Sequence, residues 1–178
     1  MKFSVIPLLA LSLSLLTPTL KAAESPAAFK VSELSFNRPT AWEWVPAGGM
    51  RQAQLKIVDG EKKETAEVVF FYFGPGNGGG VKANVDRWIG QFKEPKEELK
   101  PQVEETSVGT HKITYVTALG TYNSGMPGGP KTPLANHALL GAIVEAPQGC
   151  VFVRLTGPAA LAKASKTDFR KMVESGLK

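Results

Sequence analysis

The chain has 178 residues, 43% of them hydrophobic and 21% charged, with a formal net charge of +5 and one cysteine. A single cysteine excludes an intrachain disulfide, so a packed core has to hold the fold together. The lysines are scattered among acids and the aromatic residues keep core spacing, which argues against the basic stripe and exposed aromatics of a nucleic-acid binder.

Lys2 precedes an apolar run over residues 3–16, and Thr17, Pro18 and small residues to Ala23 follow. A positive start, an apolar core too short to span a bilayer and small residues at the exit predict a secretory signal over 1–22, cut after Ala22 or Ala23. Leu20 or Lys21 stands where a small residue is preferred before the cut, so an uncleaved anchor is the competing reading. With no cysteine after the apolar run, a lipid anchor is not expected. Losing Lys2 and Lys21 lowers the net charge from +5 to +3. The expected product is an exported protein, periplasmic or secreted, with no stable membrane anchor once the signal is gone. Residues 23–35 read as a leader, and 36–178 as a single domain of ordinary size.

Within that domain, Trp42 and Trp44 lie between prolines and suit an extended stretch that pins the core edge. Residues 50–58 alternate as a half-buried strand that ends in Asp59-Gly60, and 66–73 form its hairpin partner. The partner is apolar on both faces and is expected to be central. Residues 81–92 repeat Val81, Val85, Trp88, Ile89 and Phe92 within an arc of about 100°, which predicts an amphipathic helix. The charged, proline-bounded stretch 93–101 reads as a solvated connection. Strands over 102–108 and 112–122 come next, then a glycine- and proline-rich loop over 123–136. A strand pair over 139–146 and 150–156 leads to a closing helix from Pro158 to Ser175. Its expected buried face is Leu161, Ala162, Ser165, Phe169, Met172 and Val173. Short turns between consecutive strands give an α+β fold, a mainly antiparallel sheet covered by helices.

Candidate sites are few. Residues 74–79 match GxGxxG between a strand and a helix, but the preceding strand belongs to a hairpin and Pro75 lacks a donor, so a dinucleotide site is not expected. The N–H groups of Gly78, Gly79 and Gly80 at a helix start offer a small-anion site with Arg87 nearby, against the simpler reading of a flexible turn. Asn84, Arg87 and Gln91 make a polar ridge beside Trp88. It reads first as tethering the helix to loop carbonyls, those of 123–136 above all, and second as a ligand site. Cys150 lies in an apolar run and reads as a buried, inert thiol. His111 and His137 lack companions at metal-ligand spacing, and Glu104 and Glu105 face opposite sides of a strand. No cofactor or metal is expected, and nothing specifies a reaction.

The segment from Ala83 to Phe92, with Gly120-Thr121-Tyr122, residues 140–144 and 155–158, resembles a group of uncharacterised exported bacterial proteins, for which no activity is implied. An early Trp followed by Pro, the Ala83-Asn84-Val85 segment and a closing helix with Phe169, Met172 and Ser175 are similar to the PsbP/Mog1-like fold. That resemblance implies an antiparallel sheet sandwiched by helices and service as a binding or assembly protein. The metal-binding residues of some plant members have no counterparts here. The first functional expectation is therefore a non-enzymatic binding or assembly module with an envelope or secreted protein as partner. The alternatives are a hydrolase or other enzyme sited between the 84/87/91 ridge and the 123–136 loop, and a small-anion binder at Gly78–Gly80.

Overall fold

The computed structural model describes residues 26–125 and 128–178; the signal expected over 1–22 lies outside them. Two short strands, β1 (Ala28–Val31) and β2 (Leu34–Asn37), form a hairpin in which Phe29, Val31, Leu34 and Phe36 are buried. This corrects the expected leader over 23–35. Alternating apolar residues around the Ser32-Glu33 turn make a second layer on the core, with Ser32 in the left-handed region at φ 55°.

The main sheet has seven antiparallel strands in the order β3-β4-β5-β9-β8-β7-β6. They are β3 (Glu43–Val45), β4 (Arg51–Asp59), β5 (Glu64–Tyr72), β6 (Gln102–Val108), β7 (His111–Ser124), β8 (Thr132–Glu145) and β9 (Val151–Pro158). As its two apolar faces require, β5 is interior, between β4 and β9.

One face of the sheet packs against the β1–β2 hairpin and α3 (Ala159–Ser175). The buried residues of α3 are the six expected ones, and Phe169, Met172 and Val173 meet the alternating set Ala53, Leu55, Val68, Phe70, Ile113, Val153 and Leu155. Each large side chain removed from water in this way contributes about 1.5–3 kcal/mol.

The other face is only half covered. There α1 (Val81–Ile89), which ends three residues before the expected 92, and the turn after it set Val85, Trp88, Ile89 and Phe92 on Val116, Ala118, Leu139, Ile143 and Phe152 of β7, β8 and β9. Trp88 comes so close because Gly141 of β8 has no side chain. A methyl group there would lie 2.3 Å from ring atom Cζ3. The 93–101 connection is more than solvated chain: it carries the one-turn helix α2 (Lys96–Leu99) and buries Leu99 in the same cluster.

The expected 123–136 loop is also shorter than its composition suggests. β7 runs to Ser124 and β8 starts at Thr132, because ladder hydrogen bonds need no particular side chain. Between the pairs Gly120–His137 and Tyr122–Leu134, two steps on β7 oppose three on β8, and Asn136 at φ 53° lies inside this bulge. Such a bulge bends the hairpin.

The seat of Trp88 gives a direct test. Gly141→Ala forces the indole to move and is expected to lower unfolding free energy by about 1–3 kcal/mol, the usual cost of overpacking. Urea titration followed by tryptophan emission measures it.

Candidate functional site

Along β4, β5 and β9 the positions that alternate with the α3-facing core carry the polar residues Gln54, Lys56, Thr65, Glu67, Arg154 and Thr156, with Val69, Phe71 and Phe152 toward α1. They lie on the half of the sheet that α1 leaves open. The β7–β8 hairpin brings Tyr122, Ser124, Leu134 and His137 alongside them, and a groove of about 430 Å³ lies between. Thr65, Ala66, Glu67, Thr156 and Gly157 line it along β5 and β9; Val45, Gln54 and Lys56 line it from β3 and β4. Its volume is within the ordinary range of ligand pockets.

Two hydrogen-bonded groups stiffen its surroundings. On one side Arg51 Nη1 donates to Glu67 Oε1 at 2.7 Å and to Gln54 Oε1 at 2.7 Å, while Gln54 Nε2 donates to Glu67 Oε1 at 2.8 Å. On the other, Gln91 Oε1 accepts from Tyr122 Oη at 2.8 Å and from Arg154 Nη1 at 3.1 Å. The backbone continues this seam: Asn123 N–H donates to Gln91 O at 2.8 Å and Lys93 N–H to Thr121 O at 2.9 Å. Glu94 completes it, both carboxylate oxygens accepting from Thr121 N–H at 3.0 and 2.9 Å.

The three ridge residues thus have different fates. Asn84 is buried, and its amide donates to the carbonyls of Gly78 at 2.8 Å and Gly80 at 3.1 Å. Arg87 is exposed and donates to Asn84 Oδ1 at 2.8 Å. Only Gln91 reaches the groove, through Tyr122. Tethering to loop carbonyls is therefore present, but Asn84 uses the 74–80 loop, not the 123–136 segment expected to receive it.

At the proposed anion site, Gly78, Gly79 and Gly80 lead into α1 with Gly80 as its N-cap. Gly78 adopts φ 89°, and a Cβ there would meet Phe152 and Phe73 at 2.9 Å. The Asn84 amide occupies the adjoining space, 3.5 Å from where a Gly79 Cβ would be.

Elsewhere the chemistry is quiet. Cys150 is half-buried, and burial, aided by the Glu145 charge, raises its thiol pKa and keeps it protonated. His137 Nδ1 lies 3.0 Å from the carbonyl of Ala135, and His111 Nδ1 3.2 Å from that of Glu145. Glu104 is paired with Arg170 across the sheet edge. Among the described residues no group of three His, Cys, Asp or Glu is placed to hold a metal ion, and no helix is long and apolar enough to cross a membrane.

The groove and Arg154 escaped sequence reasoning. The available signal was a lone arginine in the otherwise apolar strand Val151-Phe152-Val153-Arg154-Leu155.

A seven-stranded antiparallel sheet with a helix and hairpin on one face and helices on the other defines the protein as a PsbP/Mog1-like α/β/α sandwich. Among solved structures it is similar to the solution structure of cyanobacterial PsbP (CyanoP) from Synechocystis sp. PCC 6803, with a TM-score of 0.50 and 11% sequence identity over 86% of this chain and 94% of that one. At that identity the likeness concerns the fold alone. No protein-family model matches the chain, and no curated protein sequence matches it.

The Glu94 latch carries a pH prediction. Its hydrogen bonds to Thr121 hold the carboxyl below the ordinary value of 4.5. A depressed folded pKa means that the latch is fully formed above the unfolded value and weakens as pH falls through the folded one. Protection of the Thr121 amide from hydrogen exchange, measured relative to that of Asn123, is expected to drop as pH falls below 4.5. Glu94→Gln is expected to abolish that dependence.

Proposed function

We propose that this chain is an exported, non-enzymatic binding or assembly module that holds an extended segment of an envelope or secreted protein in the groove beside the β7–β8 hairpin. The observation that carries the reading is the groove itself, a 430 Å³ trough on the open half of an otherwise covered sheet. Its side chains are held by the Arg51–Glu67–Gln54 bonds and by the Tyr122–Gln91 bond before any ligand arrives. Preorganisation of this kind lowers the entropy cost of binding. Val45 and Leu134 supply apolar contact, and Gln54, Thr65, Thr156 and Ser124 supply polar groups for a peptide backbone. The signal-like residues 1–22 support export, and the PsbP/Mog1-like resemblance implies a binding or assembly role.

One observation favours an enzyme instead. Through the Gln91–Tyr122 bond, the groove joins part of the 84/87/91 ridge to Ser124 and Leu134 of the 123–136 segment, as a site between them requires. Against it, among the described residues neither His137 nor Glu67 is hydrogen-bonded to a groove hydroxyl, so no nucleophile is paired with a base.

A photo-crosslinking side chain at Thr65, on the groove rim, and another at Lys163, on the outer face of α3, separate the outcomes in the producing cell. The binding reading expects one dominant protein adduct from position 65 and none from 163. Equal adducts from both positions, or none from 65, contradict it. Hydrolytic turnover by the purified protein that disappears in His137→Ala would install the enzyme reading.

A further inference from the structure

Resting on the groove reading above, we infer that Arg154 anchors an acidic side chain of the bound segment. Arg154 lies on the same face of β9 as Thr156, opposite Val69 of β5 and Gly141 of β8, two rungs from the Glu67–Thr156 pair that lines the groove. It is half-buried. Of the five donors of its guanidinium, one is used, Nη1 to Gln91 Oε1 at 3.1 Å. Nε is buried with no hydrogen-bond partner, the one such side-chain atom among the described residues.

Charge accounting isolates the same residue. Arg51 is paired with Glu67 at 2.7 Å and Lys56 with Glu43 at 3.7 Å, while Arg154 has no carboxylate within ion-pair distance among the described residues. Glu67, two rungs away on the same face, is committed to Arg51 and Gln54. A half-buried cation without a counter-charge, and with one orphaned buried donor, costs stability in the free protein. A ligand carboxylate removes that cost on binding.

The guanidinium geometry selects the ligand's chemistry. A planar fork matches a carboxylate through two parallel bonds, which a lysine would not provide. In the free protein a single bond holds the fork, so a small rotation toward the groove gives up only the contact to Gln91. That rotation turns the vacant Nε–Nη2 edge to the ligand. Two residues beyond Arg154 on the same face of β9 the trough begins at Thr156 and continues to Gly157, flanked by Val45 and Leu134. An extended segment with one Asp or Glu at the Arg154 end satisfies both the charge and the apolar walls.

Selection of a displayed random-peptide library on the purified protein tests this. Enriched peptides are expected to share one Asp or Glu, and changing it to Asn or Gln is expected to weaken binding about tenfold or more, as loss of a charge-assisted pair does. Arg154→Lys is expected to weaken binding to the same degree. Thr156→Trp, which fills the trough, is expected to abolish it. In Arg154→Met the melting temperature is expected to stay level or rise, because the variant removes an unpaired charge. A fall of several degrees would make Arg154 a structural residue and overturn the assignment. Enriched peptides without a shared acid, or binding unchanged in Arg154→Lys, would overturn the anchor and leave the groove reading standing. No enrichment, or enrichment indifferent to Thr156→Trp, would remove both. Succinate that binds and displaces the peptides at equal concentration would replace the polypeptide occupant with a small carboxylate.

Discussion

The indole of Trp88 rests on a strand that has no side chain beneath it. Gly141 allows an approach in which even a methyl group would be 2.3 Å from the ring. This contact sets how deeply α1 sits on the sheet, and the rest of the half-covered face follows from it. With Trp88 seated, Val85, Ile89 and Phe92 close over Leu139, Ile143 and Phe152. The end of the helix then lies where Gln91 reaches both Tyr122 and Arg154. The helix has nine residues and its cluster reaches only Phe152 of β9 and Phe71 at the end of β5, so β3, β4 and the Thr65–Glu67 part of β5 keep an open face. The groove is what the short helix and the bent β7–β8 hairpin leave between them.

That open face is polar without being uniformly wet. Its paired charges cost little and contribute little where they are exposed; they hold side chains in place more than they stabilise the fold. Arg154 differs because its Nε is buried without a partner and its guanidinium is bonded at only one nitrogen. Among the described residues the other buried side-chain polar atoms are hydrogen-bonded, Asn84 to two glycine carbonyls included, and this exception lies near the groove. Strain left beside a cavity is the expected mark of a place where something binds.

What the sequence made legible depended on periodicity. The buried stripe of α3 was readable residue by residue, since six apolar or small residues recur at helical spacing over two faces of different polarity. The interior position of β5 was readable for a related reason, as only a strand covered on both sides carries Val68, Val69, Phe70 and Phe71 in succession. Where composition spoke louder than period, the reading went astray. The Ala-, Ser- and Lys-containing stretch before Phe36 looked like a leader although Phe29, Val31, Leu34 and Phe36 alternate across a tight turn. Glycines and prolines in 123–136 suggested a loop, whereas backbone pairing carries β8 through Pro133. Of the ridge, Asn84 and Arg87 were legible as polar residues on one helix margin, but not their partners, because those lie in the preceding loop and in each other. The groove was out of reach altogether. It arises from strand order and from a bulge at Asn136, neither of which leaves a mark in local sequence.

The central claim is that the Trp88–Gly141 seat positions Arg154 and, through β9, the Thr156 end of the groove. Nuclear magnetic resonance of the folded Gly141→Ala protein, with backbone amides and the Arg154 Nε–H group assigned, tests it directly. Raising the indole by one methyl group is expected to shift the Arg154 Nε–H resonance and the amides of Gln91, Tyr122 and Thr156 together, with the β4–β5 turn unmoved. Shifts confined to the neighbours of Trp88 on α1 and β8, with Arg154 and Thr156 unchanged, would show that the groove is built independently of the helix and would contradict the account.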